Sequence, residues 1–277
     1  MTGGVFALVL GAALLHATWN ALVKAAADKL LGTILVTSFA AGIAALILPF
    51  LKAPASLSWP YALVSAVLQV SYFVLLARTY QIADMSETYP LMRGTAPLLV
   101  ATVSAIYASE PLSGAAWVGI VVICCGILII ASGDASKGRL GIYLALLNAV
   151  VIAAYTIIDG IGVRRSGAPG AYTLLVFLLT GLPLGFWVMV RKRSLFLPHL
   201  RRYWHLGLIG GIGTTVSYGL ALFAMTLAPV AVVAALRETS ILFGALIAWL
   251  ALKERLGPRR ILAACVVAGG AAILRLA

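Results

Sequence analysis

Arg237 and Glu238 stand side by side in Ala234-Ala235-Leu236-Arg237-Glu238-Thr239-Ser240, inside an apolar run that extends from Val230 to Leu252. On a helix rising about 1.5 Å per residue, Arg237 lies roughly 10 Å or more from the nearer end, close to the middle of a bilayer. A charge at that depth costs at least about 2.5 to 3.5 kcal/mol on insertion scales, so it must face protein, water or a partner. Arg93, in Tyr89-Pro90-Leu91-Met92-Arg93-Gly94, is equally deep in a second run. The chemistry open to this set is recognition. One guanidinium takes a substrate carboxylate in a bidentate fork, and Glu238 accepts from a substrate ammonium. The competing reading is an internal clamp, with an arginine held by Glu238 or by helix carbonyls, although buried pairs are poor devices for stability alone.

Other polar positions fall on stripes that could converge with the arginines. His16, Trp19 and Asn20 are i, i+3 and i+4 and share one helix face, while Asn148, Tyr155 and Asp159 form a stripe at i, i+7 and i+11. Gln69, Tyr72 and Phe73 occupy a third run, and Thr214, Ser217 and Tyr218 an eighth; Tyr89 accompanies Arg93, and Ser240 accompanies Arg237. For any single Ser, Thr or Asn the bland alternative is interhelical hydrogen bonding, worth about 0.6 to 2 kcal/mol. As stripes, they read as the lining of a polar cavity. His16 and Glu238 are the candidates for proton coupling, being the deepest groups able to change charge near neutral pH.

The elements that must position these residues follow from composition. The chain has 277 residues, 63% hydrophobic and only 10% charged, with mean hydropathy +1.09, where a soluble domain carries about 25% charged residues. This is the signature of a multi-pass integral membrane protein, placed in a bacterial-type inner membrane. The net charge of +12 belongs to short connections between apolar runs, so the partner is the bilayer and not nucleic acid. Ten runs are long enough to cross it: Gly3 to Val23, Leu31 to Leu51, Trp59 to Tyr80, Met85 to Tyr107, Ser113 to Ser132, Leu140 to Val163, Ala171 to Val190, Tyr203 to Leu227, Val230 to Leu252 and Pro258 to Leu276. The first, without a basic leader, reads as a retained helix. No connection is long enough to hold a soluble domain.

An internal repeat organises the ten. Val70-Ser71-Tyr72 returns 146 residues later as Val216-Ser217-Tyr218. Arg93-Gly94-Thr95 returns as Arg237-Glu238-Thr239, and Glu110-Pro111-Leu112 as Glu254-Arg255-Leu256, both at 144. Residues 1–133 and 134–277 are thus two five-helix copies. An odd number of spans per copy inverts the second, giving an all-α fold of two inverted repeats, an arrangement associated with alternating-access transport. With its paired Glu-x-Leu connections and glycine-bearing last spans, the chain resembles the EamA-type members of the drug/metabolite transporter superfamily, and among them the amino-acid exporters. The resemblance implies secondary transport of a small metabolite, often outward and often an amino acid.

Several features are weighed beside this. Glu110 and Glu254 precede helix starts and read as caps at the positive end of the dipole. Pro90 and Pro97 flank Arg93 and are expected to kink the fourth span, freeing carbonyls toward the cavity. Gly119, Gly126 and Gly133 lie on one face of the fifth span; close packing is the default, and a homodimer through the fifth and tenth spans is a further option. Cys124, Cys125 and Cys265 show no metal or disulfide spacing, and neither a metal nor a cofactor is expected. Lys and Arg number fourteen in the connections after odd spans and four on the other side, which puts both termini outside; the resemblance implies the opposite. An intramembrane enzyme is a remote alternative, since no nucleophile and base stand at matching depth. Export of drugs or organic cations, which calls for an acidic site, and transport of nucleotide sugars or sugar phosphates are nearer ones.

Overall fold

The computed structural model describes residues 1–23, 28–83, 85–107, 110–131, 139–251 and 257–277, and these are helical with no strand among them. The helices are α1 (Gly3–Val23), α2 (Lys29–Ile47), α3 (Trp59–Ile82), α4 (Met85–Tyr107), α5 (Gly114–Ala131), α6 (Arg139–Ser166), α7 (Pro169–Arg191), α8 (Arg193–Met225), α9 (Val230–Arg237), α10 (Ser240–Ala251) and α11 (Pro258–Leu276), with 3₁₀ turns at Leu48–Phe50 and Ser56–Ser58. Local chemistry sets the ends. Asp28 accepts from the Leu31 N–H at 3.0 Å to cap α2, and Ser113 accepts from Ala116 to cap α5. Prolines occupy the first turns of α3, α7 and α11. Gly167, at φ 61°, takes the left-handed position that ends α6.

Among the described residues seven helical segments are long and apolar enough to cross a membrane, and α5 is a shorter apolar helix. Phe186, Val67, Ile106 and Leu250 stand exposed, as side chains solvated by lipid would. The core runs through the middle of the bundle, where Ile120, Ile123, Ile127, Val233 and Leu236 are fully buried.

The packing has an exchange symmetry. α3 lies along α6 as α8 lies along α1; α2 meets α8 as α3 meets α7; α4 meets α6 as α10 meets α1. Swapping the two halves maps these pairs onto one another, while α2 with α7 and α5 with α11 match themselves. The α5–α11 contact is where the glycines are used. A Cβ on Gly126 would lie 2.7 Å from Val267, one on Gly119 2.7 Å from Leu274, and one on Gly270 2.9 Å from the Gly119 carbonyl. The face that suggested a homodimer is therefore covered inside the chain; Gly133 lies outside the described residues.

Two spans depart from expectation. The ninth is not one helix: it breaks at Glu238-Thr239, where Glu238 and Thr239 donate to the carbonyls of Ala235 and Leu236, three residues back. The Thr239 hydroxyl also bonds the Leu236 carbonyl at 2.6 Å, a back-bond that bends helices. The eighth starts ten residues early, because Arg193 to Arg202 is helical and meets the rest of α8 at a kink on Tyr203 (φ −119°, ψ 16°). Pro90 and Pro97, by contrast, lie within a continuous α4.

Candidate functional site

A cavity of about 340 Å³ lies between the halves, within the range for small-molecule sites. His16, Trp19 and Asn20 of α1, Tyr72 of α3, Tyr89 and Arg93 of α4, Tyr155 of α6, Tyr218 of α8 and Arg237 of α9 all line it. Gln69, Phe73 and Thr214 line it as well. Glu238 and Ser240 do not. Both Glu238 and Ser240 are buried in protein instead. Asn148 also lies outside the lining, its amide against the Met92 sulfur at 3.2 Å.

The two arginines are held differently. Arg93 Nε stands 2.9 Å from Glu238 Oε2, an ion pair by distance without the alignment of a hydrogen bond. Of the two arginines that could have formed the internal clamp with Glu238, it is Arg93 that does so. Arg237 has no ion pair among the described residues; its guanidinium carbon sits 4.9 Å from the centre of the Tyr218 ring, a cation–π seat. It ends α9, where the carbonyl-rich terminus favours a cation.

Aromatic rings and small residues shape the rest of the wall. Trp19 meets His16 edge-on at 5.3 Å, and Gly213 gives it room, since a Cβ there would lie 2.7 Å away. Asn20 Nδ2 donates to His16 Nε2 and to its carbonyl, both at 3.0 Å, so the imidazole is oriented from its own helix. Tyr72 meets Tyr155 at 6.2 Å and Phe177 meets Tyr218 at 5.8 Å, both edge-on. Besides Arg93 Nε, two polar atoms of the lining, Trp19 Nε1 and Thr180 Oγ1, are buried without a hydrogen-bond partner among the described residues. Thr180, Thr37, Tyr80 and Phe177 escaped the sequence reading. Thr180 had one signal, its place before Gly181, where a Cβ would lie 2.3 Å from the Thr37 carbonyl.

The cavity reaches exposed Asp28 beside the first connection. At the opposite side four connections are tied together. Ala55 N–H donates to the Ser166 carbonyl at 2.9 Å, and Arg165 donates to the Tyr61 hydroxyl and covers its ring. Arg164 pairs with Glu110 and donates to the carbonyls of Met225 (2.7 Å) and Ala228 (3.0 Å). Glu110 also accepts from the Val230 N–H at 3.0 Å. It therefore caps α9, not the helix that follows it; its repeat partner Glu254 lies outside the described residues.

Comparisons with known proteins bear on the whole chain. A sequence profile described as the EamA-like transporter family matches twice, over residues 3–132 and 139–276. A crystal structure of another protein, 19% identical, superposes with a TM-score of 0.81 over 100% of this chain and 98% of its own. At that identity the likeness concerns the fold.

Proposed function

We propose, for a chain that belongs to the EamA-like transporter family and so to the membrane transporters of small molecules, that the cargo carries a carboxylate and that amino acids are its first candidates. The observation that carries the reading is Arg237, a cavity-lining guanidinium that has an aromatic seat and no ion pair among the described residues. A carboxylate entering there gains a charge-assisted, fork-shaped partner. Trp19 Nε1 can donate and Thr180 Oγ1 can donate or accept at the rest of the ligand, and the rings of Tyr72, Tyr155 and Phe177 pack its side chain. Glu238 is committed to Arg93, so the ammonium end meets hydroxyls and rings.

In this reading ten spans form two inverted five-helix halves, and the cavity is opened alternately to each side. In this reading the contacts of Glu110 and Arg164 close the side of the even-numbered connections, and cargo enters from the side of Asp28, to which the cavity extends. That side is rich in Lys and Arg, and the charge rule puts it in the cytoplasm of an inner membrane; loading from there suits export. Glu110→Gln weakens the closed side and is expected to raise labelling of cysteines placed beside Pro229.

Counterflow in proteoliposomes tests the substrate. Amino acids are expected to exchange against themselves, with cationic dyes inert because Arg237 lines the cavity without an ion pair among the described residues. Exchange of sugar phosphates would move the reading to the phosphate class, for which a guanidinium is equally suited. Exchange of dyes with no exchange of amino acids would overturn it.

A further inference from the structure

Asp159, on α6, is fully buried and is surrounded by neutral groups. Tyr218 of α8 donates to its Oδ2 at 2.5 Å, Gln69 of α3 to the same oxygen at 3.3 Å, and Tyr172 of α7 to Oδ1 at 3.0 Å. Ser65 of α3, which accepts from Gln69 at 3.2 Å, completes the shell. Gly162, one turn along α6, makes room for the Tyr172 hydroxyl: a Cβ there would lie 2.2 Å from it. Among the described residues no Lys, Arg or His stands within ion-pair distance of Asp159. The further ionisable group that faces it is Tyr155 on its own helix; Arg93 of α4, already paired with Glu238, and Arg237 of α9, over the Tyr218 ring, stand beyond Tyr155 and Tyr218.

A buried carboxylate with no cation beside it is costly to keep charged. Such groups exchange protons more readily than they hold fixed charge. We propose that Asp159 is a proton-binding site and that Tyr218 links its state to the cavity. A proton from cavity water adds to the carboxylate, the new O–H turns toward the Tyr218 oxygen, and the Tyr218 O–H is released to another acceptor. Because Arg237 rests on the Tyr218 ring, the charge of Asp159 and the charge at the arginine's seat are coupled, and coupling of this kind is reciprocal. Neither coupling candidate taken from the sequence offers this: Glu238 has its cation, and His16 is tied to Asn20. The inference stands apart from the identity of the substrate.

Infrared difference spectra of the full-length protein in lipid, recorded as the pH falls from about 8 to about 5, test it without any ligand. The chain has eight carboxylate side chains, and among the described residues only those of Asp159 and Glu238 are buried. Wild type is expected to gain the C=O stretch of a buried carboxylic acid. Asp159→Asn abolishes that band, and Asp159→Glu keeps it at a shifted frequency, which preserves the test if the Asn variant does not fold. Arg237→Gln makes the band appear at higher pH, by about half a unit or more, since a cation that favours the ionised form is gone. No band in wild type, or a band unaltered by the Asp159 substitutions, overturns the site; an unmoved band in Arg237→Gln overturns its link to the cavity.

Discussion

Arg93 and Arg237 occupy matching positions of the two halves, in Arg93-Gly94-Thr95 and Arg237-Glu238-Thr239, yet they end in opposite electrical states. The difference is one residue. At Gly94 the missing side chain lets α4 approach α5, where a Cβ would lie 3.0 Å from Leu128 and 3.3 Å from the Cys124 carbonyl. At Glu238 the helix breaks, and the carboxylate crosses to the other half to pair with Arg93. One arginine is thereby neutralised and made structural, while the other is left with an aromatic seat in the cavity. Duplication supplies two equivalent cations, and a single asymmetric substitution assigns them different work.

That contrast can be broken most forcefully at Glu238. Glu238→Ala strands Arg93 in the interior and is expected to cost about 3 to 5 kcal/mol in unfolding measured in detergent, with most of the loss recovered by the double variant Arg93→Met, Glu238→Leu. Arg237→Gln should leave stability nearly intact, yet weaken binding of a carboxylate substrate about ten- to hundredfold in equilibrium binding, the value of a hydrogen bond to a charged group. Gly94→Glu makes both halves read Arg-Glu-Thr. It should destabilise by about 1 to 3 kcal/mol through overpacking against Leu128 and Cys124, and a neutral result would show that α4 and α5 can part. The smallest effect on binding belongs to Tyr218→Phe, which keeps the ring under Arg237 and removes only the hydroxyl. About 1.5 to 3 kcal/mol of stability should go, because that hydroxyl donates to the Asp159 carboxylate, with substrate affinity changed by less than about threefold.

Much of the fold was legible because the bilayer leaves so few solutions. Apolar runs of spanning length located most of the described helices, and matching tripeptides at offsets of 144 and 146 pointed to a repeat that the family profile matches twice. The polar stripes on α1 and α3 face one cavity, since i, i+3 and i+4 spacing fixes which side chains share a face, whereas Ser217 of the α8 stripe does not line it. What escaped depended on the third dimension. Periodicity carries through Glu238-Thr239, so the tightened turn between α9 and α10 leaves no trace in hydropathy. The partner of Glu238 is 145 residues away in sequence, and spacing alone left both arginines open as its partner. Glu110 looked like a local cap and instead reaches α9, and Tyr172 meets Asp159 only because Gly162 lets its ring cross α6.

The central claim is that Arg237 grips a carboxylate in the cavity. The most direct measurement is the discrimination ratio in proteoliposome counterflow between an amino acid and the amine left when its carboxyl group is removed. Wild type should favour the amino acid by about ten- to hundredfold, and Arg237→Gln should bring the ratio close to one with the protein still folded. An undiminished preference in Arg237→Gln would contradict the account, because the carboxylate would then be read by some other group.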